Sequence, residues 1–187
     1  DYLVNTSVMG MNEDGNIQIK DMTLGTTETF DAQLGSKLEI PKKYYDKMKS
    51  ECPMLLSQNV NLWLQKNPET RMVRTLDGKA RAFLSEKYRT LDNFNLLEAA
   101  LPVIQETGCE VVSSEVTPDR LYLKALMPKI EAEIKKGDIV QAGLCISNSE
   151  TGLASLRVEP LIYRLVCTNG MIANTSMKKY HVGRGNA

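Results

Sequence analysis

The residues in this chain best suited to chemistry are cations interleaved with aromatic rings. The stretch Lys79–Asn93, KARAFLSEKYRTLDN, carries Lys79, Arg81, Lys87 and Arg89 around Phe83 and Tyr88. Arg71 and Arg74 precede it, Arg157, Tyr163 and Arg164 recur later, and Lys178, Lys179 and Arg184 stand in the tail. Ammonium and guanidinium groups neutralise phosphates, and rings give unpaired bases a face to stack on. Single-stranded nucleic acids are held in this way without sequence readout. The same arginines also suit a solvated sheet face, paired with neighbours such as Asp77, Glu86 and Glu159.

Groups that make or break bonds are scarce. The one histidine, His181, lies in a polar tail, and Cys52, Cys109, Cys145 and Cys167 lack zinc-ligand spacing. The four cysteines sit in apolar surroundings and read as core thiols. Ser85 and Glu86 have no base beside them, as an activated nucleophile requires. Gly183-Arg184-Gly185 has neither the length of a phosphate-binding loop nor a helix after it. Glu131 and Glu133 fall on a charged, solvated segment. The chain is therefore expected not to be an enzyme and to need no cofactor or metal.

Hairpins and short amphipathic helices must position the cations. Tyr2–Met9 and Asn16–Met22 are β-prone runs on either side of Asn12-Glu13-Asp14-Gly15, a hairpin signal. Phe30, Leu34 and Leu38 then recur at helical spacing. Pro41 suits the first position of a helix through Tyr44, Tyr45 and Met48. Pro53 opens another, with Leu55, Leu56, Val60, Trp63 and Leu64 as its apolar face and Asn67-Pro68 as its end. Tyr44, Tyr45 and Trp63 read as packing residues.

From Glu69 the period becomes two. Arg71–Thr75 and Lys79–Ser85 are expected strands joined at Asp77-Gly78, with Lys79 and Arg81 on one face. Asp92–Thr107 is predicted helical, with Asp92 and Asn93 as its cap and an apolar stripe of Phe94, Leu97, Leu101 and Ile104. A hairpin follows over Cys109–Val116 and Arg120–Met127, then a polar connection with helical character over Pro128–Lys135. Two long strands, Asp138–Ser147 and Leu153–Cys167, complete the pattern. Pro160 inside the second requires a bulge or an edge position. The expected fold is α+β: an antiparallel sheet of β-hairpins with helices packed on one face, plus a small helical N-terminal subdomain. Residues 1–68 and 69–187 are expected as two regions of one compact unit.

The totals set limits. With 42% apolar and 25% charged residues over 187 positions, the chain has the composition of a globular domain. The 23 basic and 23 acidic residues cancel, which excludes coating of duplex DNA by net charge but leaves room for a local cationic groove. No apolar run approaches the roughly 20 residues that span a bilayer, and no secretory leader is visible. A cytoplasmic setting without membrane contact is expected. A first residue of Asp1 rather than methionine reads as a trimmed fragment.

The run Ala82-Phe83-Leu84-Ser85-Glu86-Lys87-Tyr88-Arg89-Thr90-Leu91-Asp92-Asn93 resembles the phage/plasmid-like proteins, a domain-of-unknown-function family of phages and mobile elements. Ile40–Tyr45, Asn59–Leu64 and Arg71–Thr75 upstream fit the same pattern, as do Leu161–Met171 and His181–Arg184 downstream. The resemblance spans roughly residues 32–184. It extends more distantly to single-strand annealing proteins of the Red-beta and RecT kind. That would imply ATP-independent annealing of complementary strands by a homo-oligomer holding single-stranded DNA in a positive groove. A neutral total charge departs from that pattern. The site residues expected to contact the strand are Arg71, Arg74, Lys79, Arg81, Lys87, Tyr88, Arg89, Arg157, Arg164, Lys178, Lys179 and Arg184. The alternative is a module that binds a host or phage protein partner, either blocking or recruiting it.

Overall fold

The hairpin expected at Asn12–Gly15 forms, but Tyr2–Asn5 before it and Met22–Thr26 after it also pair with strands far along the chain. The computed structural model describes residues 1–135 and 138–164. Among them the order is β1 (Tyr2–Asn5), a 3-10 turn (Thr6–Val8), β2 (Met9–Met11), β3 (Ile17–Ile19), β4 (Met22–Thr26), α1 (Glu28–Lys37), α2 (Lys42–Glu51) and α3 (Pro53–Lys66). Then come β5 (Thr70–Leu76), β6 (Lys79–Ser85), α4 (Asn93–Glu106), β7 (Glu110–Val116), β8 (Leu121–Lys135), β9 (Asp138–Asn148) and β10 (Arg157–Arg164). The class is α+β. The hairpins divide between two sheets, one in each of two units, Asp1–Arg89 and Thr90–Ala187. The division thus falls at Arg89/Thr90 rather than at Pro68/Glu69, because β5 and β6 pair with β1 and β4.

In the first unit the six strands run β1-β5-β6-β4-β3-β2. All pairs are antiparallel except β4 with β6, which meet only at Gly25–Lys79 and Thr26–Ala80. Beyond that point α1 covers the edge of β6. Thr27 caps α1 by accepting from Phe30 N at 3.3 Å, and its own hydroxyl donates to Arg81 O at 3.2 Å. Gln33 Oε1 accepts from Phe83 N at 2.8 Å. Asn61 of α3 does the same for edge strand β2, accepting from Met11 N at 2.7 Å and donating to Met11 O at 2.9 Å. Side-chain amides thus satisfy backbone groups that no strand reaches.

The core joins Phe30 and Leu34 of α1, Tyr45 of α2, and Leu56, Val60 and Leu64 of α3 to Ile17, Val73 and Phe83 of the sheet. The Phe30 and Phe83 rings meet edge to face at 5.8 Å. Gly35 leaves the space the Tyr45 ring occupies, since a Cβ there would lie 3.2 Å from Tyr45 Cδ2. The Tyr45 hydroxyl donates to Asp31 Oδ1 at 3.1 Å, while Lys49 Nζ bonds Asp31 Oδ2 at 2.6 Å and also Thr26 Oγ1. Burial pushes the Tyr45 phenol well above its ordinary range, and the Asp31 charge adds to the shift.

The second unit holds the sheet β10-β9-β8-β7. Leu123, Ala125 and Ile146 pack with Ile104 of α4, and Leu96, Leu97 and Ala100 complete the contact. Of the predicted stripe Leu97 and Ile104 pack, whereas Phe94 is 73% exposed and Leu101 stays outside the cluster, with Leu96 and Ala100 taking part instead. The segment Pro128–Lys135, expected as a partly helical connection, continues β8 with a register shift between Met127 and Glu131. Pro160 faces Leu144 on edge strand β10 without a register shift, so the edge rather than a bulge accommodates it.

Polar residues of the loop after β9 are buried. Asn148, Ser149 and Thr151 are each under 5% exposed. Asn148 Nδ2 donates to Leu91 O and Asn93 Oδ1, and Glu150 Oε1 accepts from Asn93 N at 2.6 Å. This loop, and not the side chain of Asp92, satisfies the first turn of α4. Cys109 is buried, Cys145 half-buried and Cys52 exposed, so Cys52 is not the core thiol expected; Cys167 lies outside the described residues. No helix among the described residues is long and apolar enough to cross a membrane.

Two substitutions test this packing. Asp31→Ala strands the Lys49 ammonium and removes the acceptor of Tyr45. It should lower the stability of the first unit by about 3 kcal/mol, read as a reduced urea midpoint. Gly143→Ala drives a Cβ against the Ala125 carbonyl and Leu126. It should cost about 2 kcal/mol or more, visible as earlier loss of sheet signal in urea.

Candidate nucleic-acid interface

The β5–β6 hairpin forms as expected, but its register redistributes the cations. Arg71 pairs with Ser85 and Arg74 with Ala82, after which the register shifts so that Thr75 faces Ala80. Arg81 is left as the extra residue of a bulge, which breaks the alternation expected to align it with Lys79. Arg74 is 5% exposed, with its guanidinium bonded to the Asp1 carboxylate at 3.0 and 3.1 Å. Arg71 is bonded to Glu69 at 2.9 Å, and its Cζ lies 5.7 Å from the centroid of the Phe83 ring. Both arginines are thus committed inside the unit.

Lys79, Lys87 and Arg89 are exposed and take part in no ion pair among the described residues. Lys79 stands at the far end of β6, about 20 Å from Ser85 at the usual rise per residue. Exposed Glu86, then Lys87, half-buried Tyr88 and Arg89, follow Ser85. Ser85 shapes that elbow: its carbonyl accepts from Tyr88 N at 3.0 Å and its hydroxyl from Lys87 N at 3.2 Å. Its role is structural, and the three residues it holds form the compact part of the candidate interface.

In the second unit, the regular β9–β10 register puts Arg157, Glu159 and Tyr163 on one face and Arg164 on the other. Arg157 is half-buried and Arg164 exposed. The row Lys124–Cys145–Glu159 crosses β8, β9 and β10. Burial pushes the Cys145 thiol up, Lys124 opposes the shift and Glu159 adds to it. Lys178, Lys179, Arg184 and His181 lie outside the described residues.

Residues read from sequence only as packing groups form a second feature. Tyr45 is core, but Tyr44 and Trp63 are partly exposed and line a cleft of about 620 Å3 with Asn59, Lys37, Glu69 and Phe83. The signal in the sequence was the Tyr-Tyr pair, since adjacent helical residues cannot face the same way. Glu69 forms one wall, held by Lys37 at 2.9 Å and by Arg71. Partial burial pushes its carboxyl upward, but the hydrogen bonds from Lys37 and Arg71 outweigh this, and it titrates below the ordinary carboxylate range. Because Glu69 stands two residues before Arg71, and Arg71 pairs with Ser85, the cleft and the elbow share one end of the hairpin.

The family model described as "Domain of unknown function (DUF932)" matches residues 81–183. No curated protein and no solved structure matches the chain.

The lowered Glu69 carboxyl sets a pH dependence. A depressed folded pKa contributes stability above the unfolded value, near pH 4.3, and loses it as pH falls through the folded value. Wild type should therefore exceed Glu69→Gln in urea midpoint at neutral pH, with the gap closing below about pH 4.

Proposed function

This chain belongs to the family of the domain of unknown function DUF932, and from that premise we propose that it is a single-stranded DNA-binding protein of phage or mobile-element origin. In this reading it anneals complementary strands without ATP, as an oligomer. The family description carries no activity, so the proposal rests on one observation. Lys87 and Arg89, exposed and outside any ion pair among the described residues, bracket Tyr88 on an elbow held to the sheet by Ser85. Two cations take consecutive phosphates while a ring offers a stacking face, and neither task needs a base-specific contact. Lys79 and Arg81 extend the contact within the first unit in this reading, and Arg157 and Arg164 give the second unit strand contacts of its own. Arg71 and Arg74 support it only indirectly, by fixing the hairpin.

A second reading has its own observation. Phe94 and Leu101, a helical repeat apart on α4, are 73% and 36% exposed. A protein partner would cover them. Phe94→Asp abolishing capture of a defined partner at stoichiometric yield, with DNA binding intact, would favour that reading.

The salt dependence of binding to a labelled oligonucleotide tests the first. The logarithm of the binding constant should fall linearly with that of salt, by about 0.7 per phosphate contact. Lys87→Glu with Arg89→Glu should weaken binding at low salt by on the order of tenfold and flatten the slope by about 1.4. Complementary labelled strands should anneal faster with the protein and no nucleotide present. No binding at low salt would sink the reading for this chain.

A further inference from the structure

The cleft beside the elbow has features that the phosphate-holding reading leaves unused. Tyr44 of α2 and Trp63 of α3 line it with 46% and 39% of their surfaces exposed, although the adjacent Tyr45 is 1% exposed. Lys66 Nζ lies 4.7 Å from the Trp63 ring centroid and does not itself line the cleft. Asn59, one turn before Trp63, also lines the cleft. Its half-buried carboxamide hydrogen-bonds to no described residue, whereas Asn61 on the same helix is bonded to Met11 through both atoms.

Charge narrows the ligand. Among the described residues Lys37 is the one cation lining the cleft, and Glu69 holds its ammonium at 2.9 Å. Glu39, also at the cleft, adds a negative charge. With Arg71 also bonded to Glu69, the charges of Lys37, Arg71, Glu69 and Glu39 cancel, so the cleft offers a phosphate no net attraction. The occupant is therefore a neutral, planar group whose faces stack on rings and whose edge both donates and accepts hydrogen bonds. A nucleobase has that chemistry, and an amide matches its edge in both polarities.

We propose that the cleft takes one unstacked nucleobase of a bound single strand. The base stacks on Tyr44 and Trp63 with its edge on Asn59, while Lys87 and Arg89 hold the adjoining phosphates outside. This deepens the single-strand reading and rests on it.

Trp63 is the only tryptophan in the sequence, so the emission of the intact chain reports on the cleft. Oligothymidylate is titrated at low salt while Trp63 fluorescence and the anisotropy of a labelled strand are followed together. Saturable quenching with the anisotropy midpoint is expected. Tyr44→Ala should weaken binding by about tenfold, and Asn59→Leu by a smaller factor. Lys87→Glu with Arg89→Glu should weaken binding yet leave the quench complete at saturation. A strand of abasic sites, which needs no variant to fold, should bind by anisotropy without quenching. Binding with unchanged Trp63 emission overturns the cleft assignment and leaves the single-strand reading standing. Quenching by a proline-rich peptide but not by the oligonucleotide also overturns it. No anisotropy change at low salt overturns both.

Discussion

The carboxylate of Glu69, held between Lys37 and Arg71, is the contact on which the first unit's geometry depends. It ties the C-terminal end of α1 to the start of β5, and through Arg71 it reaches the Phe83 ring on β6. The end of α1 is thereby set against one end of the β5–β6 hairpin. Such a triad costs desolvation and returns little net stability. Its consequence here is positional: it withdraws one arginine from the surface and shapes a wall of the cleft. Thr6 reinforces the same corner, donating from its hydroxyl to Leu64 O at 3.2 Å and accepting from Glu69 N at 3.0 Å.

The bulge at Arg81 is the second constraint. A regular hairpin would have carried Lys79 and Arg81 on one face and made a continuous cationic stripe. Instead β4 reaches β6 at only two residues, and α1 takes over with Thr27 bonding Ala80 O at 3.0 Å and Arg81 O. The backbone at Arg81 is thus shaped by the helix cap it serves. What survives as a compact cationic feature is the elbow after Ser85, where no strand or helix cap competes for the side chains.

Local patterns carried the elements well and their partners poorly. The Asp77-Gly78 turn was legible because its two residues adopt positive φ, 50° and 72°. Pro53 at the start of α3 and the Phe30/Leu34 spacing were equally plain. What short-range pattern cannot encode is which strand crosses beside which. The pairing of β1 with β5, from Tyr2–Val73 to Asn5–Thr70, joins residues at opposite ends of the first unit. It places Asp1 beside Arg74, so the partner that buries that arginine lies 73 residues away in sequence. The burial of Ser149 and Thr151 was hidden for a related reason. Their partners come from within the loop and from far in sequence: Ser149 bonds Thr151 and Leu153 N, and Thr151 donates to Asp119. The cleft escaped notice because a ring on an apolar helix face looks the same whether its outer edge is covered or open.

The family match also separates the two halves of the proposed site. The elbow, from Arg81 to Arg89, lies inside the matched segment, whereas Tyr44, Asn59 and Trp63 lie before it. On the proposed reading, holding the backbone belongs to the part of the chain that the family model describes. Holding a base belongs to the helical layer that precedes it. The face of the second sheet opposite the α4 contact adds little positive field, since Lys124 and Arg157 share it with Glu110, Glu115 and Glu159. A neutral chain can still grip a polyanion if its acids are sequestered in pairs with cations that have structural work. That sorting is what Glu69 and Asp1 accomplish here: they neutralise Arg71 and Arg74 within the fold and leave Lys87 and Arg89 unopposed by any ion pair among the described residues.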